Sequence, residues 1–236
     1  MYKISIITPT IRENGMAMLR ESLLKQTLPK SDWEWIVCSP FRYDYCDKWI
    51  PDPPKNEGDL YGYHKAINEL IKVAEGELII CVNDMTALFP DVLEKFWKHF
   101  QEDPMKIYCG LGNPEVKEEA KEYGQKWLDI RWNYISQPIQ ATNLINFDTA
   151  LSGIPKKALD VIGYPAIDPV YDQYACWGDR EMLVNVMKQG YRLFIDSTIN
   201  FDGFTHMGHP EMKDWDERFK KGEQFFATRN GGITNY

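Results

Sequence analysis

Strand-like and helix-like segments alternate through the first third of the chain, and this alternation limits the fold more than any other feature. Runs of β-branched and other apolar residues are separated by segments in which apolar residues recur at helical spacing. Strands are predicted at residues 2–8, 33–38 and 78–82, and helices at residues 16–24 and 61–74. Such alternation is typical of a sheet covered by helices. We predict an α/β fold with a mostly parallel central sheet flanked by helices.

Polar residues follow the ends of these predicted strands. Because parallel strands point in one direction, their carboxyl ends meet at one rim, and ligands of open α/β sheets bind there. The residues that this pattern places on the rim are Thr8, Pro9, Thr10, Ser39, Asn83 and Asp84. They are the first candidates for a ligand site.

Two acids open a predicted helix in the segment 177–195, which ends in a predicted strand after Gly190. Asp179 and Glu181 would therefore lie at a helix N-terminus at the edge of the sheet. The helix dipole stabilises a carboxylate there as the anion, and such a group can accept a proton from an alcohol. The alternative is that both acids only cap the helix, since acids are common in first turns.

Charge and composition argue against several classes of protein. The formal net charge of −8 argues against a broad basic surface for nucleic acid and favours a small polar substrate. The sequence has no apolar run of about 20 residues and no signal-like start, so we expect no membrane span and a cytoplasmic location. Five cysteines without a Cys-x-x-Cys pair indicate neither a zinc knuckle nor a disulfide framework.

Four segments, in this order, resemble the family 2 glycosyltransferases, whose fold is called GT-A. Residues 4–10 and 19–26 are similar to the opening strand, its Thr-Pro turn and the following helix. The stretch from Ala66-Ile67-Asn68 to Ala74-Glu75-Gly76-Glu77 is similar to the Ala-Arg-Asn and Ala-x-Gly-Glu frame, with Ile67 in place of the arginine. Asn83-Asp84-Met85 stands where the family has its Asp-x-Asp metal motif. Asp179 matches the family's acid about eleven residues before a Gly-Tyr pair.

This resemblance implies a glycosyltransferase that moves a sugar from a nucleotide-diphosphate sugar, in particular a UDP-sugar, to an acceptor hydroxyl. Asp179 would be the general base, and displacement at the anomeric carbon would invert its configuration. Glu181 would orient the acceptor, and Trp177 would stack on a sugar ring. Four classes of acceptor stay open: a glycan, a lipid-linked sugar, a protein and a modified nucleic acid base.

The resemblance also implies a donor site on the rim. Thr8, Pro9 and Thr10 would lie beside the base, and Arg12 would reach a phosphate unless it is simply solvated. Ser39 stands near the place where the family has an acid that reads uracil, and Asp44 or Asp47 would have to replace it. The remaining predicted donor contacts are Lys65, Asn68, Asn83 and Asp84.

A divalent cation, Mn²⁺ or Mg²⁺, is the cofactor that this family implies, because the leaving diphosphate must be neutralised. Asp84 would bind it, although an Asn-Asp pair is also typical of a turn. His206 or His209 would complete the metal shell, with a loop histidine bonded to backbone carbonyls as the alternative.

We interpret residues 1–236 as a single GT-A domain. Residues 1–110 would bind the nucleotide sugar, residues 111–200 would form the acceptor side, and residues 201–236 would be a wrapping or lid segment. In these parts we predict a substrate loop at 44–59, helices at 90–100, 114–127 and 156–161, and strands at 106–109 and 143–148.

Two other functions fit parts of the pattern. A non-catalytic nucleotide or sugar binder is compatible with the altered metal motif, but it would not need the base Asp179. A sugar nucleotidyltransferase has a related sheet, but we would expect a glycine-rich, basic loop after its first strand. Residues 8–15 contain one glycine and one arginine, which counts against that function.

Overall fold

The computed structural model describes residues 2–57, 59, 62–113, 129–174, 177–203 and 214–231, where nine strands form one sheet. The strands are β1 (Ile4–Pro9), β2 (Trp33–Ser39), β3 (Lys48–Pro51), β4 (Leu78–Val82), β5 (Thr86–Leu88), β6 (Lys106–Gly112), β7 (Ile139–Ala141), β8 (Leu151–Pro155) and β9 (Arg192–Gly203). The helices are α1 (Ala17–Leu23), α2 (Tyr63–Val73), α3 (Val92–Glu102), α4 (Lys156–Ile162), α5 (Gly178–Met187) and α6 (Trp215–Arg229).

The strands follow the order β3-β2-β1-β4-β8-β6-β9-β5, and β7 pairs with β9. The first four strands in this order are parallel, as the alternating sequence predicts. β8 runs antiparallel to β4 and to β6, which makes the sheet mixed. Strands from both predicted halves of the chain thus share one sheet, and the α/β class with flanking helices is confirmed.

Two hydrophobic cores lie on opposite faces of this sheet. Alternate residues of a strand point to opposite faces, so Ile7 of β1 joins one core and Ile6 joins the other. Residues of α2, α4 and α5 cover the first core, and residues of α1 and α3 cover the second. Because both faces are covered, the central strands consist of buried apolar residues. Within the described ranges, no helix is both long and apolar enough to span a membrane.

The close approach of β1 explains why position 76 in the Ala74-Glu75-Gly76-Glu77 stretch is a glycine. A Cβ at this position would lie 2.4 Å from the backbone nitrogen of Ser5 and 2.5 Å from the carbonyl carbon of Ile4. The backbone N–H of Gly76 instead donates to Ser5 Oγ at 2.7 Å. The absence of a side chain therefore lets the chain enter β4 directly against β1.

Several predictions of local structure are wrong. Residues 143–148 are not a strand, because Leu144–Asn146 forms a single 3₁₀ turn. The predicted loop 44–59 contains the edge strand β3, and the C-terminal segment contains the 15-residue helix α6. β8 was not predicted. The helix predicted at 114–127 lies outside the described residues.

Candidate functional site

The loop between β1 and α1 is tied to the end of β4 by Asp84. This carboxylate is buried, with 5% of its surface exposed. Thr10 Oγ1 donates to Asp84 Oδ2 at 2.6 Å. Arg12 Nη1 lies 2.7 Å from Asp84 Oδ1 and 2.6 Å from Oδ2. Thr10 and Asp84, which the sequence placed on one rim, are therefore in direct contact, and Arg12, a predicted donor contact, also binds Asp84.

Backbone contacts hold this loop in place. The Tyr43 hydroxyl lies 2.6 Å from the carbonyl oxygen of Arg12 and 2.9 Å from that of Glu13. Burial raises the pKa of Tyr43 to about 12, so the hydroxyl keeps its proton at neutral pH. The N–H of Met85, whose φ is +55°, donates to the Gly15 carbonyl at 3.0 Å. A Cβ on Gly15 would lie 2.9 Å from Asp84 Oδ2, so this loop approaches Asp84 closely.

Asn83 and Asp84 face different neighbours although they are adjacent in sequence. Asn83 Oδ1 accepts a hydrogen bond of 3.2 Å from the Tyr63 hydroxyl at the start of α2. The same hydroxyl lies 2.8 Å from Thr149 Oγ1. Asn83 therefore belongs to a polar cluster with Tyr63 and Thr149, whereas Asp84 faces the β1–α1 loop.

Asp179 lies in the first turn of α5, as the sequence predicts, and its side chain is half-buried. Its Oδ1 accepts a hydrogen bond of 2.9 Å from the backbone N–H of Arg180. Burial raises the pKa of Tyr63 well above its usual value, and the charges of Asp179 and Asp148 contribute. Asp179 is therefore within electrostatic reach of the polar cluster at the end of β4.

Asp148 is a second acid beside this cluster. Burial raises the pKa of its carboxyl group, the charge of Arg131 opposes the rise, and the charge of Asp179 adds to it. One Asp148 oxygen accepts a hydrogen bond of 2.8 Å from the N–H of Ala150. Asp148 and Asp179 thus repel each other electrostatically, an arrangement that is common where carboxyl groups bind or activate a substrate.

The N-terminus of α5 is packed tightly against α2. A Cβ on Gly178 would lie 2.8 Å from His64 Nε2, so only glycine fits. His64 Nδ1 lies 2.9 Å from Asp172 Oδ1, and Asp172 also accepts from the backbone N–H groups of His64 and Lys65. The buried His64–Asp172 pair therefore fixes the helix end that carries Asp179.

Trp177 and Glu181 are bound to α6 rather than exposed to an acceptor. The ring of Trp177 packs against Phe219 and Phe226, each with a centroid distance of 5.4 Å. Glu181 is 6% exposed, and its Oε1 lies 2.8 Å from Arg229 Nε. Burial raises the pKa of Glu181, and Arg229 partly offsets this effect. The predicted acceptor roles of Trp177 and Glu181 are not supported by these positions.

Three predicted donor contacts on the first two strands are internal to the sheet. Thr8, Pro9 and Ser39 are buried at the ends of β1 and β2. Thr8 Oγ1 accepts from Trp35 Nε1 at 3.1 Å, and Ser39 Oγ accepts from the N–H of Phe41 at 3.1 Å. Their side chains therefore shape the rim, and a ligand would meet the backbone around them.

The two predicted donor residues of α2 also have protein partners. Asn68 is buried, and its amide makes paired hydrogen bonds of 2.7 and 3.0 Å with the backbone of Ile167. Lys65 Nζ lies 2.5 Å from Asp59 Oδ2, a buried carboxylate. The prediction that Asn68 binds the donor is not supported, because both ends of its amide are used. Lys65 is held by its ion pair with Asp59.

Neither acid proposed to replace the family's base-reading residue is placed for that role. Asp47 accepts from the backbone N–H of Trp35 at 2.7 Å and pairs with Lys30. Asp44 is strongly exposed and pairs with Arg42. Both carboxylates therefore have protein partners within or close to β2.

The residues described at the end of β4 do not fit the expected Mn²⁺ or Mg²⁺. Both oxygens of Asp84 are bound by Arg12, and the flanking Asn83 and Met85 supply no carboxylate. These cations prefer several oxygen ligands and no competing positive charge. In the part of the chain that the structure describes, no group of three or more His, Cys, Asp or Glu could hold a metal. His206 and His209 lie outside the described residues.

Sequence reasoning missed Tyr63, Asp148 and Thr149 as site residues. Tyr63 is the first residue of α2, and a helix start that faces the rim is the sequence signal that could have identified it. Asp148 ended the strand predicted at 143–148 but was not chosen as a site residue, and Thr149 precedes β8, which was not predicted.

Comparisons with known proteins agree with this fold. A sequence model described as glycosyl transferase family 2 matches residues 55–163. No curated protein matches the chain. The S. aureus TarS structure is 16% identical, with a TM-score of 0.60, and the match covers 98% of this chain and 43% of TarS. TarS 1–349 in complex with UDP-GlcNAc is 17% identical, with a TM-score of 0.64, and the match covers 96% of this chain and 66% of that one. The chain thus spans under half the length of TarS and shares its GT-A fold.

Proposed function

We propose that this family 2-like glycosyltransferase domain, which has the GT-A fold, transfers a sugar from a nucleotide-diphosphate sugar to an acceptor hydroxyl. The observation that carries the proposal is the placement of Asp179 in the first turn of α5, within electrostatic reach of Tyr63. A binder without catalysis has no need of a half-exposed carboxylate there. The solved relative that carries UDP-GlcNAc favours a UDP-sugar as donor.

The proposed reaction is an inverting displacement. The acceptor oxygen attacks the anomeric carbon, the bond from that carbon to the diphosphate breaks, and the diphosphate leaves with the electron pair. Asp179 takes the proton of the acceptor hydroxyl, which is general base catalysis. We assign this role to Asp179 rather than Glu181, because Glu181 is buried and ion-paired with Arg229.

In this proposal the donor sugar lies beside the polar cluster of Tyr63, Asn83 and Thr149 at the end of β4. Its hydroxyl and amide groups are suited to hydrogen bonds with sugar hydroxyls. A divalent cation, if one binds, would supply positive charge to the leaving diphosphate. The proton transfer to Asp179 and the displacement do not depend on it. The acceptor stays a prediction with the same four classes.

A panel of nucleotide sugars tests the proposal. The protein is incubated with UDP- and GDP-sugars, in Mn²⁺, Mg²⁺ or EDTA, and release of the nucleoside diphosphate is measured with and without added glycan acceptors. Release from at least one donor is expected, with slow release to water in the absence of an acceptor. Binding of a nucleotide sugar without release under every condition would instead identify a non-catalytic binder.

A further inference from the structure

A positive charge is built into the rim at the end of β1. The guanidinium of Arg12 contacts both oxygens of the buried Asp84 through Nη1, and Thr10 supports the same carboxylate. Asp84 is 5% exposed, whereas the Arg12 side chain is 28% exposed. Since the carboxylate is buried and the Arg12 side chain is partly exposed, Asp84 acts as an anchor that holds Arg12 at the rim.

The chemistry of this pair differs from that of a metal site. An arginine stays charged at any physiological pH and carries five N–H donors on three nitrogens, so one guanidinium can bridge a carboxylate and a phosphate. Arginine is also the side chain best suited to phosphate oxygens. A cation that displaced Arg12 from Asp84 would find no second carboxylate at the neighbouring positions Asn83 and Met85.

We propose that Arg12, anchored by Asp84, supplies the positive charge that binds the donor's diphosphate, and that nucleotide binding needs no divalent cation. This inference rests on the proposed function, because it assumes a nucleotide-diphosphate donor. Arg12 is the group that contacts the leaving diphosphate, and Asp84 is a positioning residue that acts through it.

Binding of UDP, measured by calorimetry, tests the inference without any turnover. Wild-type protein is titrated with UDP in EDTA and again in Mn²⁺, with GDP in parallel. The Kd for the nucleotide that binds is expected to agree within about threefold between the two conditions. Arg12→Met is expected to weaken binding about 10- to 100-fold in EDTA, which is the range for a lost charge-assisted hydrogen bond. Arg12→Lys, which keeps the charge, is expected to lie between them.

Two further variants keep the test decisive. Arg42→Met removes an exposed arginine whose pair with Asp44 lies on the surface, and it should bind UDP like the wild type. Arg12→Met leaves a buried carboxylate unpaired and is prone to misfolding. The double variant Arg12→Met with Asp84→Asn removes both charges together, and it should show the same loss of affinity.

Three results would overturn the inference: no nucleotide binding to wild type in EDTA, a Kd that rises more than about tenfold when Mn²⁺ is removed, or unchanged binding by both Arg12 variants that lack the charge. Any of these results, together with release of the nucleoside diphosphate from a nucleotide sugar, would leave the proposed function standing. Binding that depends on Arg12, without release from any nucleotide sugar, would support this inference and end the proposed function.

Discussion

The ion pair between Glu181 and Arg229 gives the most detailed prediction, because it separates a structural role of Glu181 from a role in acceptor binding. Glu181 is 6% exposed and its partner Arg229 belongs to the last turn of α6. Removing one partner of a fully buried ion pair costs roughly 3–5 kcal/mol. Since the Arg229 side chain is 42% exposed and water can reach the pair, we expect about 1–3 kcal/mol for Arg229→Met.

The reverse change should cost less. Glu181→Gln removes the buried charge, and Arg229 keeps its 2.7 Å contact with Asp168, so we expect a loss of about 1 kcal/mol. Urea unfolding at pH 7 measures both values, and a loss of 1 kcal/mol lowers the Tm by roughly 2–4 °C in a chain of this size. Turnover of Glu181→Gln should stay within about threefold of wild type once both proteins are folded.

The opposite pattern would refute this reasoning. If Glu181→Gln has wild-type stability and loses turnover by about 100-fold or more, as expected for a group that acts in the transition state, then Glu181 contacts the acceptor. Phe225→Leu is a useful control, because Arg229 also lies over the Phe225 ring, with 5.3 Å between the guanidinium carbon and the ring centroid. That change tests α6 packing without altering a charge.

Three other predictions concern residues that hold the site in place. Asn68→Ala leaves the backbone N–H and carbonyl of Ile167 without their partner, so urea unfolding should show a loss of about 2–4 kcal/mol, and an unchanged stability would contradict the paired hydrogen bonds. Gly76→Ala puts a methyl group against the β1 backbone and should lower the free energy of unfolding by more than about 3 kcal/mol or prevent folding. A soluble variant with wild-type Tm would disprove that contact. Burial alone would raise the pKa of Asp196, but hydrogen bonds from His99 and Thr198 lower it overall. The ionised Asp196 therefore stabilises the fold above its ordinary pKa of 3.8, and this stabilisation is lost as the pH falls below that value. Asp196→Asn should flatten the dependence of unfolding free energy on pH in this acid range, and an unchanged dependence would contradict the prediction.

The parts of the fold that were predicted are those in which a local pattern decides the structure. β4 was predicted with its correct bounds, because five buried apolar residues lie between Gly76 and Asn83. β8 was missed because Gly153 interrupts the apolar pattern of a central strand. The structure explains that glycine, since a Cβ there would lie 2.7 Å from the ring of Phe96.

The site was predicted in outline and missed in its contacts for a related reason. The position of Asp179 follows from a helix start, which the sequence marks locally. The partners of Trp177 and Glu181 come from α6, about 40 to 50 residues further along the chain, and no local pattern reports such packing. The pairing of Asp84 with Arg12 likewise joins residues 72 apart in sequence.

The central claim is that Asp179 is the base of a sugar transfer reaction. It is tested most directly by the rate of nucleoside diphosphate release by Asp179→Asn, compared with wild type and with Asp160→Asn, which alters an exposed acid of α4. We predict a rate lower by roughly 10²–10⁴-fold for Asp179→Asn, with UDP affinity within about threefold of wild type and full activity of the control. An Asp179→Asn protein that folds, binds UDP and turns over at the wild-type rate would contradict the account.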